Sequence, residues 1–198
     1  MASYIAFEGG EGSGKSTQAR LLAERLDAVL TREPGGTPLG AELRQLLLGV
    51  GEASVSPRAE TLLMAADRAQ HLADVVGPAL DAGRHVVSDR SVFSSLAYQG
   101  GGRGLGVDAV RAVNDWALGG RWPDVVVLLD AAPATAQTRL QRSLDRLELE
   151  SEEFHARVRA TYLDLAAADP DRWIVLPAEG DIDAIAARIA DEIDGRMT

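Results

Sequence analysis

Short apolar runs alternate along the chain with longer segments in which apolar residues recur every three or four positions. This alternation is typical of βαβ units, in which helices join parallel strands. The apolar runs near Val86 and Val125 are nearly continuous, as expected for strands that helices cover on both faces. We therefore expect an α/β fold with a five-stranded parallel sheet flanked by helices in three layers, the third and fourth strands being central. The predicted strands are Tyr4 to Phe7, Ala28 to Leu30, His85 to Ser88, Val125 to Leu129 and Trp173 to Leu176.

The clearest predicted helix runs from Pro57 to Ala82, where Ser56 can cap the first turn and Pro57 suits it. A second apolar stripe after Asp181 predicts a C-terminal helix that packs on the sheet. The stripe of the first helix is Leu62, Ala66, Ala69, Leu72, Val76 and Leu80, and that of the second is Ile182, Ile185, Ile189 and Ile193.

The composition suits one globular domain over residues 1–198, since 46% of the residues are hydrophobic and 25% are charged. The formal net charge of -10 argues against broad nucleic-acid binding, because a phosphate backbone would be repelled over most of the surface. The absence of cysteine excludes a disulfide scaffold and thiolate metal sites, and fits a cytoplasmic location. No apolar stretch approaches the roughly 20 residues of a membrane span, so we expect no membrane association.

The segment from Gly9 to Ser16 matches the phosphate-binding pattern G-x-x-x-x-G-K-[ST] between a predicted strand and a predicted helix. Glycines let successive backbone N–H groups turn towards phosphate oxygens, and the helix presents its positive end to the same anion. We expect Lys15 to reach the β- and γ-phosphates of a nucleotide and the Ser16 hydroxyl to bind Mg²⁺. A glycine-rich turn with an ordinary capping serine is the alternative. The predicted phosphate site comprises Gly9, Gly10, Glu11, Gly12, Ser13, Gly14, Lys15, Ser16 and Thr17.

Lys15 is the only lysine among the 20 basic residues of the sequence. A narrow backbone cradle accepts a compact ammonium better than a planar guanidinium, which supports the phosphate-binding interpretation. The single lysine also excludes a regulatory GTPase, because the guanine-reading N-K-x-D motif would need a second one.

Two acidic residues, Asp89 and Asp130, end predicted strands and are candidates for a metal-binding carboxylate. Asp89 is followed directly by Arg90, and an acid beside a base at a strand's carboxyl end suits a metal and a second phosphate. We therefore assign Asp89 to the predicted metal site with Ser16, and interpret Asp130 as a strand-end or turn residue.

Further motifs lie outside the phosphate loop. They are T-R-E-P-G-G-T-P-L-G from Thr31 to Gly40, A-D-R from Ala66 to Arg68, D-R-S from Asp89 to Ser91, S-S-L-A-Y-Q-G from Ser94 to Gly100, and the loop near Asp145 and Arg146. With these motifs the chain resembles bacterial thymidylate kinases over nearly its whole length. The resemblance implies a P-loop NTPase fold of the nucleoside monophosphate kinase type. It further implies a homodimer that phosphorylates dTMP to dTDP with ATP and Mg²⁺.

The same resemblance implies that Arg44 and Arg90 hold the dTMP phosphate, while Arg68 and Gln99 address the thymine ring. Glu11 is similar to an acidic residue that approaches the deoxyribose 3′-hydroxyl. The implied dTMP site comprises Glu11, Glu33, Arg44, Met64, Arg68, Arg90, Ser95, Tyr98 and Gln99.

The arginines of this set could instead be solvated surface residues, and Glu11 a solvent-facing loop carboxylate. Tyr98 also allows a second interpretation, and Met64 departs from the family pattern. Tyr98 looks like a tyrosine that lies near the sugar 2′-position, but it could equally be a core aromatic with its hydroxyl satisfied. Met64 stands where relatives commonly place a phenylalanine that stacks on thymine, so nucleotide affinity or base selectivity should be reduced.

In-line phosphoryl transfer depends mainly on positioning and charge neutralisation, so the catalytic residues should be cations and metal ligands. Because Gly12 and Ser13 leave the phosphate loop without arginine, the resemblance implies that a short lid at 142–150 supplies one. Arg139 is a further candidate near this lid. The predicted catalytic residues are Lys15, Arg90, Arg142 and Arg146.

Two other functions stay open from the sequence. One is a kinase for another nucleoside monophosphate, such as dCMP, UMP or AMP. The other is a P-loop protein that binds nucleotide as a switch or assembly partner without phosphoryl transfer.

Overall fold

The computed structural model describes residues 1–50, 54–131 and 145–197. Within these ranges five strands form one sheet, all parallel, in the order β2-β3-β1-β4-β5. The predicted fold class is confirmed, and β3 and β4 are interior as expected, although β1 lies between them at the centre. The strands are β1 (Tyr4–Glu8), β2 (Val29–Arg32), β3 (Val86–Asp89), β4 (Val125–Asp130) and β5 (Trp173–Pro177).

Helices follow the strands on both faces of the sheet. Two π-helical segments interrupt the α-helices, at Leu72–Val76 and Leu96–Gly102. The α-helices in the described ranges are α1 (Lys15–Leu26), α2 (Pro38–Leu48), α3 (Pro57–His71), α4 (Gly77–Asp81), α5 (Val92–Ser95), α6 (Val107–Leu118), α7 (Glu152–Ala168) and α8 (Ile182–Met197).

The helix predicted from Pro57 to Ala82 is found as α3, the first π segment and α4. Ser56 caps it, accepting a hydrogen bond from the backbone N–H of Ala59 at 3.4 Å. Pro78, in the first turn of α4, has no N–H and its ring crowds the carbonyl four residues earlier, which accounts for the wider turn before it.

Along β1, successive side chains pack into two different apolar clusters, one on each face of the sheet. Tyr4 packs in the cluster that includes residues of α3, α6 and α7. Ile5 and Phe7 pack in the other cluster with α1 and α8. The three-layer arrangement expected from the sequence follows from this alternation.

The predicted apolar stripe is wrong for the first part of α3, where Leu62 is 60% exposed and Ala66 is exposed. The buried face there is largely polar, and it is satisfied by hydrogen bonds from neighbouring elements. Its members are Glu60, Thr61, Met64, Ala65, Asp67, Arg68 and His71. On α8 the stripe is confirmed for Ile185, Ile189 and Ile193 but wrong for Ile182, which is 54% exposed at the start of the helix.

Candidate functional site

The loop between β1 and α1 has the backbone that its glycines predict. Gly9 and Gly14 have φ angles of 138° and 89°, and a Cβ atom on Gly9 would lie 2.4 Å from the carbonyl oxygen of Leu129. At the start of α1 there is no side-chain cap and no acidic residue in the first turn. The first N–H groups of the helix are therefore available to an anion in the adjacent cavity.

Lys15 is buried beneath this loop. Its Nζ donates to the carbonyl oxygen of Gly10 at 2.6 Å and to Oγ of Ser13 at 3.3 Å. Burial lowers the pKa of Lys15, and the nearby guanidinium of Arg90 lowers it further. The ammonium lies where a phosphate held by the loop would offer it a stronger acceptor than a carbonyl.

Ser16 and Asp89 meet beside the loop, where the Ser16 hydroxyl donates to a carboxylate oxygen of Asp89. The strand register explains the meeting, because Asp89 is aligned with Phe7 on β1 and with Arg32 on β2. The carboxyl ends of three strands therefore meet at one edge. A hydroxyl and a carboxylate are oxygen donors of the kind that Mg²⁺ takes together with phosphate and water.

Arg90 directly follows Asp89 and has a positive φ of 73°. Its guanidinium donates to the carbonyl oxygen of Gly9 at 3.3 Å, to Oγ of Ser94 at 3.1 Å and to a carboxylate oxygen of Glu11. It also lies 5.1 Å from the ring centre of Tyr98. Burial alone would lower the pKa of Arg90, but Glu11 and other nearby groups raise it well above its ordinary value.

Glu8 is a buried carboxylate that the sequence analysis missed. It accepts hydrogen bonds from the backbone and hydroxyl groups of Ser91 at 2.9 and 2.7 Å and from those of Ser94 at 3.2 and 2.6 Å. Tyr162 on α7 donates to it at 2.8 Å. Burial raises the pKa of Glu8, while Arg90 and these donors oppose the rise. Glu8 thus fixes the turn that carries Arg90.

Arg68 forms a buried ion pair with Glu33, Nε to Oε2, at 2.9 Å. One terminal nitrogen donates to the side-chain oxygen of Asn114. The other donates to the carbonyl oxygen of Ser91 and to Oγ of Ser95, both at 3.2 Å. Four of its five N–H groups thus have acceptors within the described residues.

His71 completes this network. Its Nδ1 lies 2.9 Å from the second carboxylate oxygen of Glu33, and its Nε2 lies 2.7 Å from Oγ1 of Thr31. Burial alone would raise the pKa of Glu33, but Arg68 and His71 hold it below its ordinary value. The network orders the motif that begins at Thr31 against α3.

Two further arginines lie at the same edge. Arg44 donates to the carbonyl oxygen of Pro34 at 2.9 Å. Burial lowers the pKa of Arg44, and the neighbouring charge of Arg32 adds to this effect. Arg32 lines the cavity described next, although the sequence analysis did not select it as a site residue.

One cavity of about 670 Å³ runs from the phosphate loop to α3 and the second π segment. It is lined by Lys15 and Ser16 at one end and by Met64 and Gln99 at the other. The predicted residues that line it are Glu11, Gly12, Ser13, Gly14, Lys15, Ser16, Thr17, Glu33, Arg44, Met64, Arg68, Asp89, Arg90, Ser95, Tyr98 and Gln99. Its volume is in the range of ligand-binding clefts, and it reaches from the phosphate loop to polar side chains on α3 and the second π segment.

Tyr98 is buried and also lines the cavity, so the two interpretations of this residue are compatible. Its hydroxyl accepts a hydrogen bond from Arg90 at 3.3 Å, and its ring packs edge-on against Phe154. Burial raises its pKa, which keeps the phenol neutral.

The predicted lid residues have a different setting. Arg142 and the further candidate Arg139 lie outside the described residues. Arg146 does not line the cavity, and its side chain donates to Glu60 at 2.7 Å and to the carbonyl oxygen of Leu47 at 2.9 Å. A role for Arg146 at the phosphates therefore requires these contacts to break.

Asp130 ends β4 as predicted and forms a two-point ion pair with Arg159 on α7, at 2.6 and 2.7 Å. In the described ranges no three carboxylates, histidines or cysteines cluster as metal ligands. None of the helices in those ranges has the length and apolar character needed to cross a membrane.

Asn114, Glu60 and Tyr162 are buried residues that support the site and that the sequence analysis missed. For Asn114 a signal was present, because it occupies the apolar stripe of α6 between Val110 and Leu118. A polar residue at such a position predicts a buried polar partner.

Comparison with known proteins identifies the family of the chain. A family model described as thymidylate kinase matches residues 7–189. The thymidylate kinase of Leifsonia xyli subsp. xyli is 50% identical, covering 98% of this chain and 95% of its own length. That of Cutibacterium acnes is 46% identical over 98% of this chain and 97% of its own length. The crystal structure of thymidylate kinase from Ehrlichia chaffeensis superimposes with a TM-score of 0.81 and 31% identity, covering 98% of both chains. The chain belongs to the thymidylate kinase family.

Proposed function

We propose that this protein transfers the γ-phosphoryl group of ATP to dTMP, yielding dTDP and ADP. The single observation that carries the proposal is the continuous cavity that joins the phosphate loop to Met64, Arg68 and Gln99. One nucleotide would lie with its phosphates on the loop and the other with its base in the pocket. Both phosphate groups then meet near Arg90.

The donor side consists of the loop and α1. Backbone N–H groups and the positive helix end hold the β- and γ-phosphates, as the open first turn of α1 favours. Lys15 would exchange its contact with the Gly10 carbonyl for the phosphates and so place a positive charge on the transferring group.

The acceptor phosphate would be held by Arg90 and Arg44, with Arg32 beside them. Arg90 is already positioned by Gly9, Ser94 and Glu11, so little ordering is needed when dTMP binds. Orientation of this kind is the main contribution a protein makes to phosphoryl transfer.

Ser16 and Asp89 would hold Mg²⁺, since they place a hydroxyl and a carboxylate next to the phosphate loop. When bound, the ion neutralises charge on the phosphate oxygens. The protein's own contribution is to keep these two oxygen donors together at the meeting point of three strands.

The base pocket would recognise thymine through Arg68 and Gln99, with Met64 against the ring. Among the residues that the structure describes, four N–H groups of Arg68 have acceptors, which leaves one that a carbonyl oxygen of the base can accept. Glu33 and Ser95 fix the guanidinium, and Tyr98 closes the pocket beside Arg90.

We further propose that the chain is one kinase domain that acts as a homodimer in the cytoplasm. The adjacent helices α2, α3 and α6 each leave a large apolar side chain exposed, namely Leu46 at 52%, Leu62 at 60% and Trp116 at 88%. Light scattering should give twice the mass of one chain.

A coupled assay of ADP release with dTMP, dUMP, dCMP, UMP and AMP tests the function. We expect turnover to be highest with dTMP and to require Mg²⁺. Preference for another monophosphate would identify a different kinase, and ATP binding without transfer to any of them would indicate a nucleotide-binding protein without kinase activity.

A further inference from the structure

Glu60 is a buried carboxylate on α3 that takes no part in the mechanism proposed above. Its side chain has no exposed surface. It accepts hydrogen bonds from Gln99 at 2.8 Å, from Arg103 at 3.3 and 3.1 Å, and from Arg146 at 2.7 Å. All of its partners are donors, so the carboxylate is fully satisfied although it is buried.

The bond to Gln99 determines which way that amide faces. An ionised carboxylate only accepts hydrogen bonds, so the amide must turn its NH₂ group, and not its oxygen, towards Glu60. This orientation follows from chemistry and not from the assignment of two similar atoms. Gln99 lines the cavity. Because the oxygen and nitrogen diverge from the same carbon, an amide that turns its NH₂ group to Glu60 should turn its carbonyl oxygen Oε1 towards the cavity.

A carbonyl oxygen in the pocket selects between pyrimidine bases. Thymine carries a hydrogen on ring N3, which donates to such an oxygen, whereas the N3 of cytosine is an acceptor and would face it without a bond. A polar site that is left unpaired by the wrong substrate discriminates strongly.

We propose that Glu60 is a positioning residue for base selectivity, which holds the Gln99 amide so that its carbonyl accepts the N3–H of the pyrimidine. The inference rests on the proposed binding of dTMP in this cavity. Glu60 itself touches no substrate and acts through Gln99.

The decisive comparison is between Glu60→Leu and Arg103→Leu. Both variants remove the two-point Arg103–Glu60 pair, but only the first removes the acceptor of the Gln99 amide. Glu60→Leu also releases Arg146, but a change in catalysis at the phosphates would affect dTMP and dCMP alike, so the ratio of the two reports on the base. We expect the ratio of kcat/KM for dTMP to that for dCMP to fall at least about tenfold in Glu60→Leu, or 1.4 kcal/mol at 25 °C. Arg103→Leu should keep the wild-type ratio within about threefold. Equal ratios in the two variants would reduce Glu60 to a structural role and overturn the proposal.

A second measurement uses dTMP in which the ring N3–H is replaced by C–H. By calorimetry, this analogue should bind the wild-type protein at least about tenfold more weakly than dTMP, and Glu60→Leu should nearly abolish the difference. Equal affinity in the wild-type protein would refute the orientation of Gln99 without any variant.

Loss of folding in Glu60→Leu would be detected by circular dichroism. In that case Glu60→Asp takes the place of Glu60→Leu. The shorter aspartate side chain keeps the charge near the arginines but moves the carboxylate away from Gln99. We expect the same fall in selectivity. The failures are distinguishable: a wild-type protein without activity on dTMP refutes the proposed function, whereas unchanged selectivity in all variants refutes only the role of Glu60.

Discussion

Replacing Glu33 by glutamine should strongly destabilise the protein, because it removes the carboxylate that pairs directly with buried Arg68. The side chains of Arg68 and Glu33 are 2% and 3% exposed, so solvent cannot screen the remaining charge. Removing one partner of a buried pair typically costs about 3–5 kcal/mol. The hydrogen bonds of Arg68 to Asn114, Ser91 and Ser95 remain, so we expect about 3 kcal/mol, at the lower end.

The assay is urea unfolding followed by circular dichroism, together with thermal unfolding. A loss of about 3 kcal/mol corresponds to a fall in Tm of about 6–12 °C for a chain of this length. Asp194→Asn is the matched control, since it makes the same chemical change in the exposed two-point pair with Arg25. That control should unfold like the wild-type protein within error.

The lowered pKa of Glu33 also predicts how the stability difference between wild type and Glu33→Gln depends on pH. The folded state holds this carboxyl ionised more strongly than the unfolded state does. Its stabilisation is therefore complete above the ordinary pKa of 4.5 and is lost as the pH falls towards the lower folded value. The difference in free energy of unfolding between wild type and Glu33→Gln should therefore become smaller below pH 4.5. The buried-pair argument is refuted if Glu33→Gln lowers the free energy of unfolding by less than about 1 kcal/mol at pH 7. It is also refuted if the difference in this free energy between wild type and variant grows as the pH falls.

Three further variants test the site. Lys15→Met should leave a folded protein with kcat lowered about 10²–10³-fold or more, and near-normal turnover in a coupled assay would remove the phosphate loop from the mechanism. Met64→Phe should preserve or tighten dTMP binding, since stacking on an aromatic ring contributes roughly 1–3 kcal/mol; a calorimetric titration that shows much weaker binding would place Met64 in the core. Arg142→Ala and Arg146→Ala, compared in single-turnover measurements, should show a loss of about 10³–10⁵ in kcat for whichever arginine meets the transferring group. If both variants retain wild-type rates, the lid has no part in catalysis.

The phosphate loop could be predicted from the sequence because its requirements are local. Gly9 and Gly14 need conformations or space that a side chain does not allow, and those needs appear in a single short segment. The positions of β3 and β4 were predicted for a similar reason, since strands buried on both faces read as continuous apolar runs.

The buried face of α3 could not be predicted in the same way. Periodicity assigned the core to Leu62 and Ala66, whereas the structure buries Glu60, Asp67 and Arg68 instead. Burial of charged residues depends on partners that lie far away in the chain. Glu60, for example, bonds to residues 39 and 86 positions away, and no local pattern reveals such partners.

Because Lys15 is the only lysine of the sequence, the phosphate loop can be labelled selectively with amine reagents. An amine-selective reagent small enough to enter the cavity has one side-chain target, Lys15, apart from the terminal amine. Its lowered pKa leaves more of the amine neutral, and therefore nucleophilic, than is usual for a lysine at the same pH. Because bound nucleotide would cover this nitrogen, the extent of labelling reports directly on occupancy of the phosphate loop, without any engineered probe.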